Sequence, residues 1–462
     1  MNAPVIIPAT PVNHFVKGQT VTGAEVEYGR PSARFATPAL DLDALVWSRR
    51  EPPPAADTPI SEVMDVLEAL GQRLTRDPDG VLAEALERNM KTNPLPRDLM
   101  ERAYANVGRG FARDRMQFIL EQELGGSDVV DGWREIDTLS GRPARVRAFP
   151  PRLIHVLAGN GPGVSAGSIL RGGLVKGANL FKLPSNDLFT APALLRELAA
   201  VAPGHPVTRS FSAVYWKGGD EAVERMLFRP QYFDKLVAWG GDAAIRSALQ
   251  YIGPGFELVS FDPKTSISMI GREAFVSEEA LQEAARHAAH DATILNQQAC
   301  IASRFQFVEA NEADADRFAE ALQKELGQPR PLASTEPWPT PEAVREEVEA
   351  LRDMPDFYRI WGGYGGEGCV IRSEDPVDFH PDGKVVNVVP VDRLEDAVRH
   401  VNVATQTVGV HPPERKAKLR DALAAAGAQR IVTLGQASPE MGLPHDGFYP
   451  LQRFVRWVND EG

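Results

Sequence analysis

LIHVLAGNGPGVSAGSILRGGLVKGANLFKLPSNDL, residues 153–188, decides the fold. Leu153–Ala158 is a short apolar run that reads as a buried strand, and Gly159-Asn160-Gly161-Pro162-Gly163 turns it into a loop before a helix begins. A second apolar run, Ala178–Leu183, follows one helix later, delivers Lys182 and ends in a Pro184-Ser185 turn. Further outward, FSAVYW (211–216), KLVAW (235–239) and FELVS (256–260) are strand candidates, with helices expected near 187–201, 220–227 and 242–250. Strands that alternate with helices in this way form a parallel sheet covered on both faces, so the expected class is a doubly wound α/β fold.

Upstream, the first sixty residues are rich in proline and end in EPPPAADTP (51–59); residues 1–57 read as an extended arm with a strand near Thr20–Tyr28. From Thr58 the pattern turns helical: Ile60, Val63, Leu67, Leu70 and Leu74 share one face, with Thr58 as cap and Pro59 in the first turn. Helices near 80–90 and 97–124 follow, and residues 131–149 fold back around Ser140-Gly141-Arg142-Pro143 as a β-hairpin. A second unit spans 264–435, with 436–462 as a C-terminal segment. In it Ser277 caps a helix, SRFQFVE (303–309) is a strand, and Asp392 with Glu395 forms a capping box. A helix from Pro413 to Gly427 leads into the strand RIVTL, so this unit alternates too.

Among the 462 residues, 50 Lys and Arg face 63 Asp and Glu, a net charge of −13 that repels polyanions. Nucleic-acid binding by bulk charge is therefore excluded. Two cysteines, Cys300 and Cys369, make no disulfide framework and suit a reducing compartment. The N-terminus lacks a basic region and is interrupted by Pro4, Pro8 and Pro11, so a cytoplasmic location is expected. The uncharged stretch 153–170 is broken by Gly and Asn and is no membrane span. No metal site is assigned.

Four positions invite chemistry. Cys300, in LNQQACIASR (295–304), sits between a helix with a polar end and a new strand, where a thiol meets a cleft; the plainer reading is a buried, inert cysteine. Asn160, at a strand end, offers an amide NH2 to a developing oxyanion, or is simply a turn residue. Lys182 at the next strand end suits a ribose or phosphate, and Gly240-Gly241 exposes amides at a helix start to a pyrophosphate.

In order from about Pro150 onward, HVLAGNGPG, KGANLFKLPSNDLFTAPAL, VYWKGGDEAVE, VAWGGDAAIR, PKTSISMIG, DATILNQQAC and HDGFYPLQRFVRWV resemble blocks of the aldehyde dehydrogenase superfamily. They are most similar to its acyl-CoA reductase branch, which includes the long-chain reductase of bacterial bioluminescence. The resemblance implies an aldehyde-dehydrogenase-like fold. Residues 58–263 would hold a dinucleotide-binding domain with 131–149 as an oligomerisation arm, and 264–435 the catalytic domain. It implies Cys300 as nucleophile, Asn160 and the Cys300 amide as oxyanion donors, Lys182 on the adenosine ribose and Gly240-Gly241 at the pyrophosphate.

One departure bears on the reaction. Hydrolytic members carry a general-base Glu in a Glu-Leu-Gly-Gly-Lys block, where this chain has Ser260-Phe261-Asp262-Pro263-Lys264. Serine is a poor base, so the acyl-enzyme should pass to a thiol rather than to water. Glu257, three residues earlier, restores a base only if the alignment shifts. NAD-selective relatives place a Glu three residues after the ribose lysine; Ser185 stands there, which favours NADPH while leaving NADH open. The expected activity is NADPH-dependent reduction of an acyl-CoA to the aldehyde with release of CoA, by a homo-oligomer served by an acyl-supplying partner enzyme. Arg171, Lys176, Lys182 and Lys217 are expected to gather the anionic ligands. The alternatives are a hydrolytic NAD(P)-dependent aldehyde dehydrogenase and a non-redox acyl-transfer or thioesterase-like subunit.

Overall fold

A computed structural model describes residues 8–30, 33–337 and 340–462. The chain divides into two units, one of Met1–Pro94, Ala103–Asp262 and Met441–Gly462, the other of Leu95–Arg102 and Pro263–Glu440.

In the first unit the sheet is built from β1 (Arg152–Val156), β2 (Ala178–Lys182), β3 (Phe211–Val214), β4 (Lys235–Trp239) and β5 (Glu257–Phe261), connected by α1 (Pro162–Leu174), α2 (Thr190–Val201), α3 (Glu221–Leu227) and α4 (Asp242–Leu249). The strands are parallel in the order β5-β4-β1-β2-β3, so the winding reverses at β1. A ligand crevice belongs at that reversal, beyond the carboxyl ends of the strands. Leu153, Ile154, Leu180, Phe181, Leu236 and Val237 are fully buried, as strands covered on both faces require.

The N-terminal segment departs from an extended arm. Its first seven residues lie outside the described ones, but His14–Val16 pairs antiparallel with β3 and Gln19–Val21 extends the sheet further. Thr10–Pro11, Ala33–Thr37 and Val26–Arg30 form a separate small sheet. The strand expected over Thr20–Tyr28 is interrupted at Thr22–Glu25, which contains Gly23, so its two ends join different sheets.

The helix Ile60–Arg76 forms as expected, yet Thr58 does not cap it. The carboxylate of Asp131 accepts the Ile60 N–H at 2.9 Å instead. The helix expected over 97–124 is broken into Arg97–Asn106, a 3-10 turn at Val107–Phe111, and Arg113–Leu124. Gly108 explains the break: a Cβ there would lie 2.4 Å from the Gly71 carbonyl, so this turn packs backbone to backbone on Ile60–Arg76. The hairpin strands Arg134–Ile136 and Ala144–Phe149 are present, and Arg456–Glu461 pairs along the second of them to complete a three-stranded sheet.

The second unit has its own seven-stranded sheet around β6 (Thr265–Ile270), β7 (Ser303–Glu309), β8 (Val385–Val391) and β9 (Thr405–His411), in the order β8-β7-β6-β9. Cys369–Arg372 and Arg359–Gly362 extend it beyond β8, and Arg430–Thr433 beyond β9. Ser277 caps α5 (Glu278–Ala292) by accepting the Ala280 N–H at 3.2 Å. Ala284, Ala285, Ala288 and Ala289 are fully buried, small side chains that let α5 lie close to Glu312–Leu326. The capping box expected at Asp392 is displaced by one residue. Asp396 accepts the Arg393 N–H at 3.1 Å, and the element is a 3-10 turn, Leu394–His400.

Candidate active site

Asn160 stands in the loop after β1, immediately before α1. Gly161, with φ +114°, caps that helix without a side chain, and Pro162 occupies its first turn. The preceding carbonyl, Gly159 O, accepts Asn93 Nδ2 at 2.9 Å and Asn186 Nδ2 at 3.1 Å. Asn186 lies so close that a Cβ on Gly159 would fall 1.9 Å from its Oδ1. These two asparagines fix the loop that carries Asn160, a role that no local sequence pattern announces.

Lys182, at the end of β2, lies with its ammonium 5.7 Å from the centroid of the Trp216 ring. Burial lowers its pKa, while the negative charge of Glu224 works in the opposite direction. Glu224 itself is buried and accepts Trp216 Nε1 at 3.2 Å, the Gly219 N–H at 3.1 Å and the Tyr251 hydroxyl at 3.0 Å. Lys182, Trp216 and Glu224 thus form a polar and aromatic cluster at the strand ends. Ser185 is exposed in the turn that follows Lys182.

Gly240-Gly241 follows β4, and Gly241 caps α4 with no side-chain bond. A Cβ built on Gly241 or Gly161 meets nothing within 4 Å, so both helix starts open onto free space. They follow β4 and β1, neighbouring strands on the two sides of the winding reversal. Two uncapped helix N-termini on adjacent strands fit the diphosphate of a dinucleotide. Beside them the rings of Trp239 and Phe261 stack at 3.6 Å, and His445 meets both edge-on. His445 belongs to a tight turn, with Asp446 and Gly447 both at positive φ and the His445 N–H bonded to Phe448 O at 2.9 Å.

The remaining expected cations divide. Arg171 is buried opposite Glu123, whose charge opposes the lowering that burial imposes on its pKa. Lys176 is buried in an ion pair with Asp131. Both are internal structural charges, which corrects their expected place around the ligand. Lys217 is exposed. Glu257 begins β5 and accepts Lys235 Nζ at 3.1 Å from the start of β4, so this pair lies at the end of the sheet opposite the crevice. Ser260 lies near the other end of the same strand, opposite Ala238.

In the second unit Cys300 is half-buried in the turn between α5 and β7. The approach to it is unusual. Leu295, Asn296 and Gln297 all have positive φ (49°, 48° and 73°), a conformation costing roughly 1–3 kcal/mol for each such residue. Side chains hold it there: Asn296 Oδ1 accepts the Ser334 N–H at 2.8 Å, and Gln297 Nε2 donates to Val385 O at 2.8 Å. The Ser266 hydroxyl donates to Cys300 O at 2.7 Å. Cys369, by contrast, is fully buried and burial pushes its thiol up to about 12, which makes it a structural residue.

Across its whole length the chain shares the fold of solved aldehyde dehydrogenases. The NAD-dependent benzaldehyde dehydrogenase of Corynebacterium glutamicum superposes with a TM-score of 0.72 at 16% identity, covering 100% of both chains. Lactaldehyde dehydrogenase from Escherichia coli gives 0.71 at 14%, over 98% of this chain and 99% of the other. The fold therefore defines an aldehyde-dehydrogenase-like protein. Residues 55–457 match the family model described as "Acyl-CoA reductase (LuxC)", and the chain belongs to that family. Its relatives include the "Long-chain acyl-protein thioester reductase" of Photorhabdus laumondii subsp. laumondii, 33% identical over 74% of this chain and 70% of the relative. The protein of the same description from Vibrio harveyi is 31% identical over the same shares. Among the described residues, no helix is long and apolar enough to cross a membrane, and no group of three or more His, Cys, Asp or Glu side chains could hold a metal ion.

Proposed function

We propose that this chain reduces a long-chain acyl thioester, carried on CoA or on a partner protein's thiol, to the aldehyde with NADPH. The observation that carries the reading is the separation within β5: Glu257 is engaged with Lys235 at the far end of the sheet, and Ser260 stands toward the crevice. With Glu257 held at the far end and a serine in the place of the hydrolytic base, water is not activated from that position and an acyl-enzyme survives to be reduced.

In this reading the Cys300 thiolate attacks the thioester carbonyl and forms a new C–S bond as the original C–S bond breaks. The departing thiolate takes one proton from solvent. Asn160 Nδ2 and the Cys300 N–H hold the oxygen while it carries negative charge. Lys182 and the first turn of α4 at Gly240-Gly241 hold the dinucleotide, and Ser185 leaves room for a 2′-phosphate that a carboxylate would repel. When bound, the reduced nicotinamide supplies the hydride with which the acyl group leaves Cys300 as aldehyde.

The test is NADPH oxidation against a panel of acyl-CoAs, scoring free thiol and aldehyde together in wild type and Cys300→Ala. Equal amounts of NADP, thiol and aldehyde, all lost in the variant, are expected. Thiol release without NADPH oxidation would replace the reductase with a non-redox acyl transferase, and acid as the product would restore the hydrolytic reading.

A further inference from the structure

Arg304 lies four residues after Cys300, in β7, and only 6% of it is exposed. Its guanidinium is spent on the nucleophile loop. One terminal nitrogen donates to Gln297 O at 2.6 Å; the other donates to Pro381 O and, at 3.3 Å, to Asp382 Oδ1. Asp382 in turn accepts Gln298 Nε2 at 3.1 and 3.3 Å on its two oxygens. The side chains of Arg304 and Asp382 thereby grip both residues 297 and 298, at the end of the left-handed run and two residues before the thiol.

The start of the loop is held separately, by the Leu295 N–H donating to Leu332 O at 2.8 Å and by Asn296, while Arg304 and Asp382 hold its end. A buried guanidinium carries a full desolvation cost, which an apolar residue would avoid. Here Asp382 offsets part of that cost, and the interaction with the Cys300 thiolate favours the charged arginine as well. By reciprocity, the same interaction favours the thiolate. His380 also faces this charge: burial, then Arg304, lower it to about 4, so it is neutral at pH 7 and supplies no competing cation.

We propose that Arg304, held by Asp382, is the positioning residue of the nucleophile: it locks the loop at Gln297 and Gln298 and sets a permanent positive charge against the Gln297 carbonyl, three residues from the Cys300 thiol. The proposal rests on the reading of Cys300 as the attacking group, but its test does not require turnover. Thiolate reacts with iodoacetamide and thiol does not, so the alkylation rate against pH reports the ionisation directly.

The experiment measures Cys300 alkylation from pH 5 to 10 in the full-length protein, with the modified peptide identified by mass and buried Cys369 as the unreactive internal control. In Arg304→Met the inflection should move up by at least one pH unit, which for an inflection near pH 7 is a loss of at least about fivefold in rate at pH 7. Arg304→Lys keeps the charge without the planar fork. Its inflection should stay near that of wild type while kcat falls and KM does not. Asp382→Asn removes the opposing negative charge and should move the inflection down, the opposite direction to Arg304→Met. If Arg304→Met does not fold, the Lys and Asn variants decide the matter. An inflection unmoved in folded Arg304→Met, or unmoved or raised in Asp382→Asn, overturns the proposal. A Cys300→Ala protein that still reduces acyl-CoA would sink the proposed function, and would leave the alkylation profiles to judge the electrostatic pairing separately.

Discussion

Glu257 and Lys235 bond to each other at 3.1 Å across the first residues of two neighbouring strands, with Glu257 largely exposed. The pair closes the end of the sheet away from the crevice, around the buried ammonium of Lys235. Glu257→Gln should therefore leave reductase kcat within about twofold and produce no change in product. A loss of more than a hundredfold, read as aldehyde formed from acyl-CoA, would return Glu257 to the list of catalytic bases.

The contact between Gly159 and Asn186 makes the loop that carries Asn160, the proposed oxyanion donor, sensitive to a single methyl group. Gly159→Ala places a Cβ where Asn186 Oδ1 now lies, and Asn186 must leave the Gly159 carbonyl. Loss of a donor in an oxyanion site costs about 10²–10³ in kcat, and a displaced donor should cost at least tenfold. NADPH affinity, measured by fluorescence quenching, should change much less. Equal losses in both would mean that the loop serves the dinucleotide rather than the carbonyl.

Cofactor preference should be separable from cofactor affinity. Lys182→Ala removes the ammonium beside Trp216 and should weaken both NADPH and NADH by roughly tenfold, about 1.4 kcal/mol. Ser185→Glu, in the exposed turn, should raise KM for NADPH while sparing NADH, because a carboxylate repels the 2′-phosphate. Steady-state kinetics with the two cofactors distinguishes these outcomes. An unchanged NADPH:NADH ratio in Ser185→Glu would move the ribose 2′ position elsewhere.

Asp187 carries a pH signature. It is wholly enclosed, accepting Asn89 Nδ2 at 2.6 Å and the Thr190 N–H at 3.2 Å, and burial pushes its carboxyl up to about 6. The folded protein binds this proton more tightly than the unfolded chain does. The associated stability is full below the unfolded value near 3.9, and is lost as pH rises through 6. Urea midpoints of wild type and Asp187→Asn, measured between pH 4 and 8, should therefore differ by an amount that shifts toward wild type as pH falls. The total swing should be on the order of 2 kcal/mol. A difference independent of pH would mean that Asp187 stays ionised throughout.

The alternation of the sheet was legible because each strand is a continuous apolar run closed by Gly, Pro or a charged residue. β4 was read to the residue, and β1 and β5 within one or two. The helix over 97–124 was misread because its periodicity continues through Gly108, and only the close approach of Gly71 forces the turn. Asn160, Lys182, Gly240 and Cys300 could be singled out because each follows or precedes an element boundary. Their supporting residues could not. Arg304 and Asp382 are 78 positions apart, Ile60 and Asp131 are 71 apart, and neither pair leaves a local pattern. Arg171 and Lys176 were misplaced for the same reason: their partners, Glu123 and Asp131, lie outside the segment that suggested them.

The strand Arg456–Glu461 has a further consequence for how the molecule is made. Synthesis proceeds from the N-terminus at about 5–20 residues per second, and residues 441–462 emerge only after the whole of 263–440. Until then the hairpin strand Ala144–Phe149 lacks its second neighbour, and the Glu123 carboxylate lacks the Leu451 N–H that it accepts at 2.6 Å. On the ribosome, the first unit to begin is therefore the last to finish. A nascent chain stalled at residue 440 would present an open sheet edge to chaperones, and release of the final segment would close it.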